Sequence, residues 1–359
     1  MQVVLMAKKD ESAYTEFLLR HDRSSMVASI LFKNFLQELT YPSIPYYFIA
    51  KEGEDIVGVL PAFMKKGKYG PVLNSLPWFG SNPGIIADND NVAIELAEAF
   101  IKTAQWTSCL SATLIAAPFD PYDAVYESVF EDALIDRRVG TITTLPDYTD
   151  TEDFTIKLMD KIHSKTRNQI RKSYNECFSA TCRPDYALGN TRAFAFLAEI
   201  HRDNMEAVGG PVKSKELPII GNWKVGTDCN LYLSRQKETG HDAAALLLSY
   251  FNKTVDYWIP ATKVDFRNLN PLHILIFEAM KDAAKRGFKY WNWGGSTIPG
   301  MEDVLHFKKR FGGDTSIYRY YTKMNSRLPD GVTKRDLVYA YPYFFVLPFR
   351  FVNEKAATA

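Results

Sequence analysis

Cysteine is scarce: four in 359 residues, Cys109, Cys177, Cys182 and Cys229, with no Cys-x-x-Cys pair. Zinc sites use tighter, repeated pairs, and disulfide scaffolds are short secreted chains, so the pattern predicts reduced thiols in a cytoplasmic protein. An excess of charge of either sign is also missing, since 43 Lys and Arg oppose 42 Asp and Glu for a net +1. That balance excludes the basic footprint of a protein that binds duplex DNA. No stretch supplies the roughly 18 uninterrupted apolar residues of a membrane span. The opening MQVVLMAKKDESAY has too short an apolar run for a signal peptide, and no basic run before it. The six histidines are scattered, with no HxxxH pair, so no metal site is expected.

Aromatics are abundant at 14%, from 23 Phe, 20 Tyr and 6 Trp, which predicts large cores or aromatic-lined clefts. The length predicts two domains, each able to bury a core. In the first third, Tyr46–Lys51 and Ile56–Phe63 read as a hairpin around Gly53. Residues 70–87 are apolar but cut by Gly and Pro, which predicts short strands around a crowded loop. Helical spacing then covers Asn91–Thr107, and Leu110–Ala116 is a strand candidate. The polar run Leu145–Asp153 is the best boundary.

The second half repeats this order with sharper edges. A basic helix near 155–178 and an amphipathic helix near 191–207 precede three strands, Asn230–Arg235, Ala243–Phe251 and Val255–Ala261. The strongest helix follows, with Asn270 as N-cap, Pro271 at its first position and Gly287 just past its end. Lys289–Trp293 is a strand, Met301–Phe311 a helix and Ser316–Thr322 a closing strand. Strands, helix, strand, helix, strand is the order of an N-acetyltransferase-like (GNAT) domain. The expected fold is therefore mixed α/β with two tandem GNAT-like domains, each a mixed sheet flanked by helices. The expected bounds are 1–148 and 149–325, with an aromatic segment 326–359. One GNAT element is missing: the connection Thr262–Asn270 has no glycine, so the usual backbone cradle for the CoA pyrophosphate is not visible.

The stretches KIHSKTRNQIRKSYNECF (161–178), NPLHILIFEAMKDAAKRG (270–287), FKYWNWGGS (288–296) and HFKKRFGGD (306–314) resemble the Fem-type (FemABX) peptidyltransferase family. GVLPAF followed by NSLPWFGSNPGI is similar as well. The resemblance implies two GNAT-like domains and a C-terminal segment folded back on the first. It also implies transfer of an aminoacyl group from tRNA, or of an acyl group in looser relatives, to an amine of a peptidoglycan or other cell-envelope precursor. Two departures touch the donor and acceptor. No long helical hairpin fits between residues 190 and 228, and Ser81-Asn82-Pro83-Gly84 stands where the family has an aromatic residue and two glycines.

Family enzymes place a Phe-Lys pair in the acyl-transfer channel, and Phe307-Lys308 matches it. Met301, Val304 and Lys308 share a helical stripe, so Lys308 is expected on the apolar side, where a cation stabilises the oxyanion of acyl transfer. A snorkelling lysine is the alternative. Arg167 and Arg171, one turn apart on the basic helix, could grip a diphosphate, and the family holds its acceptor's phosphates from this region. A solvated charged face is the alternative there. Asp265 is the candidate base, with an ordered water as its rival. Tyr257, Trp258, Asn270 and Trp293 are candidate acceptor contacts.

The implied donor co-substrate is acyl-CoA or aminoacyl-tRNA, with no tightly bound cofactor. The implied acceptor is small and phosphorylated, or lipid-linked. The tail Leu337–Val352 is dense in aromatics but broken by Pro342 and Pro348, so it packs on the first domain or meets the membrane at its inner face. Two rival functions stand beside the Fem-type reading: a CoA-dependent N-acetyltransferase acting on an amino sugar, and an inert GNAT-fold binding protein.

Overall fold

The computed structural model describes residues 1–78, 82–181 and 188–352; Ser81 and Cys182 lie outside them. The chain divides into two compact units, one made of residues 1–140, 295–300 and 316–359, the other of 141–294 and 301–315.

The first unit begins with β1 (Gln2–Leu5), α1 (Glu11–Arg20) and α2 (Ile30–Leu39). Next come β2 (Ile44–Pro45), β3 (Phe48–Glu52), β4 (Asp55–Leu60), β5 (Phe63–Gly67), β6 (Gly70–Asn74) and β7 (Ile86–Ala87). It continues through α3 (Asp90–Trp106), β8 (Ser111–Ile115), α4 (Asp123–Val129) and most of β9 (Leu134–Thr144). The expected hairpin is there, β3 against β4, with Gly53 at φ +63° in the turn. The two leading helices were not expected from the sequence. Yet α1 buries Tyr14, Phe17 and Leu18, and α2 buries Phe32, Phe35, Leu36 and Leu39, both at helical spacing. The strands β6 and β8 run parallel, with α3 as their crossover helix. Phe100 and Leu96 of α3 pack in a core with Leu73, Leu114 and Tyr126.

The second unit contains α5 (Thr151–Lys161), α6 (Ser164–Glu176), β10 (Cys177–Thr181), α7 (Arg192–Ala207) and α8 (Glu216–Ile220). Then come β11 (Cys229–Gln236), β12 (Asp242–Phe251), β13 (Thr254–Thr262), α9 (Pro271–Lys285), β14 (Tyr290–Ser296) and α10 (Glu302–Arg310). The basic helix expected as one piece is two. Its break falls at Ile162-His163, where both residues take extended backbone angles and His163 caps α6 through its side chain. The order β10-β11-β12-β13 is antiparallel, and β14 joins β13 in parallel. The face of α9 formed by Leu275, Ile276, Ala279, Met280 and Ala283 is wholly buried against Leu246, Leu248 and Trp291.

The chain closes with β15 (Asp314–Met324), which pairs with β8 through residues 320–324, and α11 (Lys334–Ala340). Beyond α11 the tail packs within the first unit. The Tyr341 hydroxyl donates to the Gly70 carbonyl at 2.8 Å, and Trp78 N–H donates to the Tyr343 carbonyl at 2.7 Å. The described cysteines, Cys109, Cys177 and Cys229, are buried free thiols. Among the described residues no helix is long and apolar enough to cross a membrane.

Candidate active site

The parallel pair of the second unit is joined over three rungs only: Thr254 opposite Tyr290, Val255 opposite Trp291 and Asp256 opposite Asn292. Both strands run on past that point, to Thr262 and to Ser296, so the ladder opens into a fork. A bulge helps to turn β13 away. Leu247 faces Ile259 and Leu248 faces Tyr257, leaving Trp258 as the extra residue. Trp258 therefore departs from the strict two-residue alternation of a strand and stacks on Trp223, with ring centroids 4.7 Å apart.

Aromatic rings line the fork. Tyr257 lies 4.9 Å from Trp293, and the Trp293 Nε1 donates to the Thr143 hydroxyl at 2.9 Å. Phe307 meets Trp293 at 6.1 Å, His273 at 5.7 Å and Phe311 at 5.2 Å. His273 is buried with its Nδ1 unpartnered, and desolvation pushes its imidazole down to about 4, so it stays neutral at physiological pH.

Into this apolar setting α10 delivers Lys308, only 5% exposed, whose ammonium donates to the Gly294 carbonyl at 3.3 Å. Burial pushes its ammonium down to about 8 from an ordinary 10.5. At pH 7 it is still mostly protonated, and it is a cation in a place poor in water. The stripe that was expected to carry it is only partly apolar, because Val304 is 41% exposed. Lys308 is nonetheless buried, with its ammonium against the Gly294 carbonyl. The structure therefore brings Lys308, Phe307, Trp293 and Tyr257 to one end of one strand pair.

Of the other sequence candidates, Asn270, Arg167 and Arg171 bond to residues outside this group of four, and Trp258 stacks outside it. Asp265 sits exposed on a short 3-10 turn, Val264–Leu269, between β13 and α9. Asn270 occupies the N-cap position of α9 with left-handed angles (φ +55°), but its side chain makes no capping bond. It accepts from Gln169 Nε2 at 3.4 Å, which ties α6 to the start of α9. Arg167 uses one guanidinium nitrogen to donate to the Met159 and Ile162 carbonyls at 3.1 and 3.0 Å, closing the C-terminus of α5. Arg171 is exposed, with one bond to Asn168 Oδ1 at 3.0 Å. Pro271 has no N–H, and the amides of Phe266, Asn270 and His273 all donate to local carbonyls.

Two further residues at the fork escaped the sequence reading. Asp256 and Asn292, the last rung of the ladder, are 6% and 7% exposed, and Asn292 Nδ2 donates to Asp256 Oδ1 at 2.8 Å. Polar residues inside a strand carry no signature until register sets them face to face. His273 was likewise hidden inside the apolar pattern of α9.

A model of the FemAB family matches residues 229–321, a segment that holds β11 to β14, the fork and α10. The chain is FemAB-like. Solved structures agree at the level of fold. A FemX structure aligns with a TM-score of 0.68 at 12% identity, over 89% of this chain and 97% of that one. The C-terminal domain of a putative lysylphosphatidylglycerol synthetase from Agrobacterium fabrum aligns at 0.54 and 11% identity, over 87% and 91%. A tandem GNAT protein from the clavulanic acid biosynthesis pathway aligns at 0.50 and 11%, over 91% and 99%. No curated protein sequence matches the chain. The FemAB-like chain is thus a tandem GNAT-like acyltransferase, moving an acyl or aminoacyl group.

Proposed function

We propose that this FemAB-like protein forms an amide by transferring an aminoacyl or acyl group to an amine of a cell-envelope or surface-polysaccharide precursor. The observation that carries the reading is the buried Lys308 at the aromatic fork. When an amine attacks an ester or thioester carbonyl, negative charge builds on the carbonyl oxygen. A desolvated ammonium beside it stabilises that charge far more than it stabilises the neutral ground state. The tetrahedral intermediate then expels the carrier alcohol or thiol, which leaves with the proton that the amine gives up. Asp265, or a water held near it, relays that proton. Phe307 and Trp293 keep bulk water out of the fork, which protects the activated carbonyl from hydrolysis.

The donor carbonyl arrives as acyl-CoA or aminoacyl-tRNA. The satisfied amides at the start of α9 favour a carrier whose phosphates are held elsewhere. Arg171, with the remaining nitrogens of Arg167, supplies cations for a phosphorylated acceptor, while Tyr257, Trp258 and Asn270 flank it. A neighbour named for a lysylated phospholipid favours a lipid-linked acceptor at the inner face of a membrane. So do the tail's exposed Tyr339, Phe349 and Phe351, beside a Lys334 ammonium 4.8 Å from the Phe349 ring. The test is a parallel assay of acyl-CoAs and charged tRNAs against amino-sugar nucleotides and peptidoglycan precursors, reading amide product by mass spectrometry. The reading requires a product whose formation Lys308→Ala abolishes. A product formed equally well by that variant would remove Lys308 from the chemistry, and no product with any pair would favour an inert binding protein.

A further inference from the structure

The last rung of the β13–β14 ladder is polar on both sides and buried on both sides. Asp256 on β13 accepts from the Asn292 Nδ2 on β14 at 2.8 Å, and the Asn292 Oδ1 accepts from the Gly294 N–H at 2.9 Å. The amide thus has only one workable orientation. Its donor end must face the carboxylate, and its acceptor end must face the peptide N–H. Gly294 stands at φ +72°, a left-handed angle that turns its carbonyl out of the strand direction and onto the Lys308 Nζ at 3.3 Å. Burying a carboxylate and an amide in a strand pair is costly unless each is bonded. Here each is bonded in a chain of contacts that ends on the lysine.

We propose that Asp256 and Asn292 are positioning residues for the acyl-transfer site: they clamp the Gly294 turn, whose carbonyl sets where the Lys308 ammonium stands. The inference rests on the reading of Lys308 as the oxyanion-stabilising cation, and assigns to the rung the task of holding that cation at the mouth of the fork. Asp256 acts here through geometry. The depression of the Lys308 proton affinity comes from desolvation. The titratable side chains of the two clamp strands are Asp256, Tyr257 and Tyr290; α10 itself adds Glu302, Asp303, His306, Lys309 and Arg310, and His273 of α9 meets the neighbouring Phe307 ring.

The clamp can be tested without knowing the substrate. Lys308 in the full chain is acetylated with trace acetic anhydride across a pH series, and the modified peptide is quantified by mass spectrometry against the exposed Lys102. In wild type, labelling of Lys308 should reach half its maximum near pH 8. Asn292→Ala and Asp256→Ala should release the Gly294 turn, hydrate the ammonium and move that midpoint up by about one unit or more towards the ordinary lysine value. Asp256→Asn keeps an oxygen for the Asn292 amide and should leave the midpoint within about half a unit of wild type. An unmoved midpoint in the alanine variants would overturn the clamp. So would an Asp256→Asn shift as large as that of Asp256→Ala, because charge rather than hold would then be responsible. Should Asn292→Ala fail to fold, the Asp256 pair of variants carries the same decision. Turnover separates this inference from its premise. An active Lys308→Ala removes the premise, whereas an inactive Lys308→Ala with unmoved midpoints removes the clamp alone.

Discussion

Each unit contains a parallel strand pair with a crossover helix, and the two pairs end differently. In the first unit β6 and β8 pair from Val72 opposite Ser111 to Asn74 opposite Thr113, and the chain's own tail closes that end. The Asn74 amide donates to the Phe345 carbonyl at 2.8 Å and accepts from the Phe345 N–H at 2.7 Å, so a side chain stands in for a strand partner. In the second unit the last rung again holds an asparagine, Asn292, but its bonds go to Asp256 and Gly294 and lead to a buried cation. The lesson is that a GNAT-like scaffold places an end of strands at which polar groups must find partners. Main chain fills it in one unit, and a lysine with a neutral aromatic wall occupies it in the other. The proposed function uses the end that keeps a charge.

The largest stability effect should come from breaking the sealed end. Asn74→Ala leaves the Phe345 N–H and carbonyl buried without partners and should cost roughly 2–4 kcal/mol in denaturant unfolding. Turnover per folded molecule should stay at the wild-type level, because nothing at the fork has changed.

At the open end the sign reverses. The Lys308 pKa is depressed to about 8, so between pH 8 and 10.5 the unfolded chain binds the extra proton and stability from this group rises with pH. Below pH 8 its burial is a standing cost. Lys308→Met should therefore be about 1–2 kcal/mol more stable than wild type at pH 7, after allowing for the unpaired Gly294 carbonyl. The gain should shrink as unfolding is measured at pH values from 8 towards 10.5. A variant less stable than wild type at pH 7 would mean that the lysine is better solvated than its 5% exposure indicates.

A smaller effect is expected at the turn between the two features. Gly294→Ala forces a β-carbon into a left-handed residue and should cost roughly 1–2 kcal/mol. It should also slow product formation, because the carbonyl under Lys308 moves.

Much of the second unit was legible in the sequence. The Asn-Pro start, the apolar face and the terminal Gly287 of α9 bracketed that helix to within a few residues, because helical periodicity and end signals act locally. The early helices were missed because α1 mixes charge with apolar residues, and its pattern of Tyr14, Phe17 and Leu18 is short. Phe307 and Lys308 were singled out through the resemblance of HFKKRFGGD to the Fem-type family, and the burial of Lys308 was foreseen from its place on the helical stripe. What local pattern could not convey was register. Asp256 meets Asn292 only because β13 and β14 pair at one offset, with the whole of α9 between them in the chain. The role of Arg167 at the end of α5 was hidden for a related reason, since the break at Ile162-His163 creates the carbonyls it caps.

The central claim is that the cation at the fork stabilises the acyl-transfer transition state. The most direct measurement is single-turnover amide formation by wild type and Lys308→Ala, with one donor–acceptor pair identified in the parallel assay, at pH 7 and saturating substrate. The account predicts a loss of about a hundredfold or more in the chemical step, with native folding retained. A Lys308→Ala rate within about twofold of wild type, roughly 0.4 kcal/mol of barrier, would contradict it.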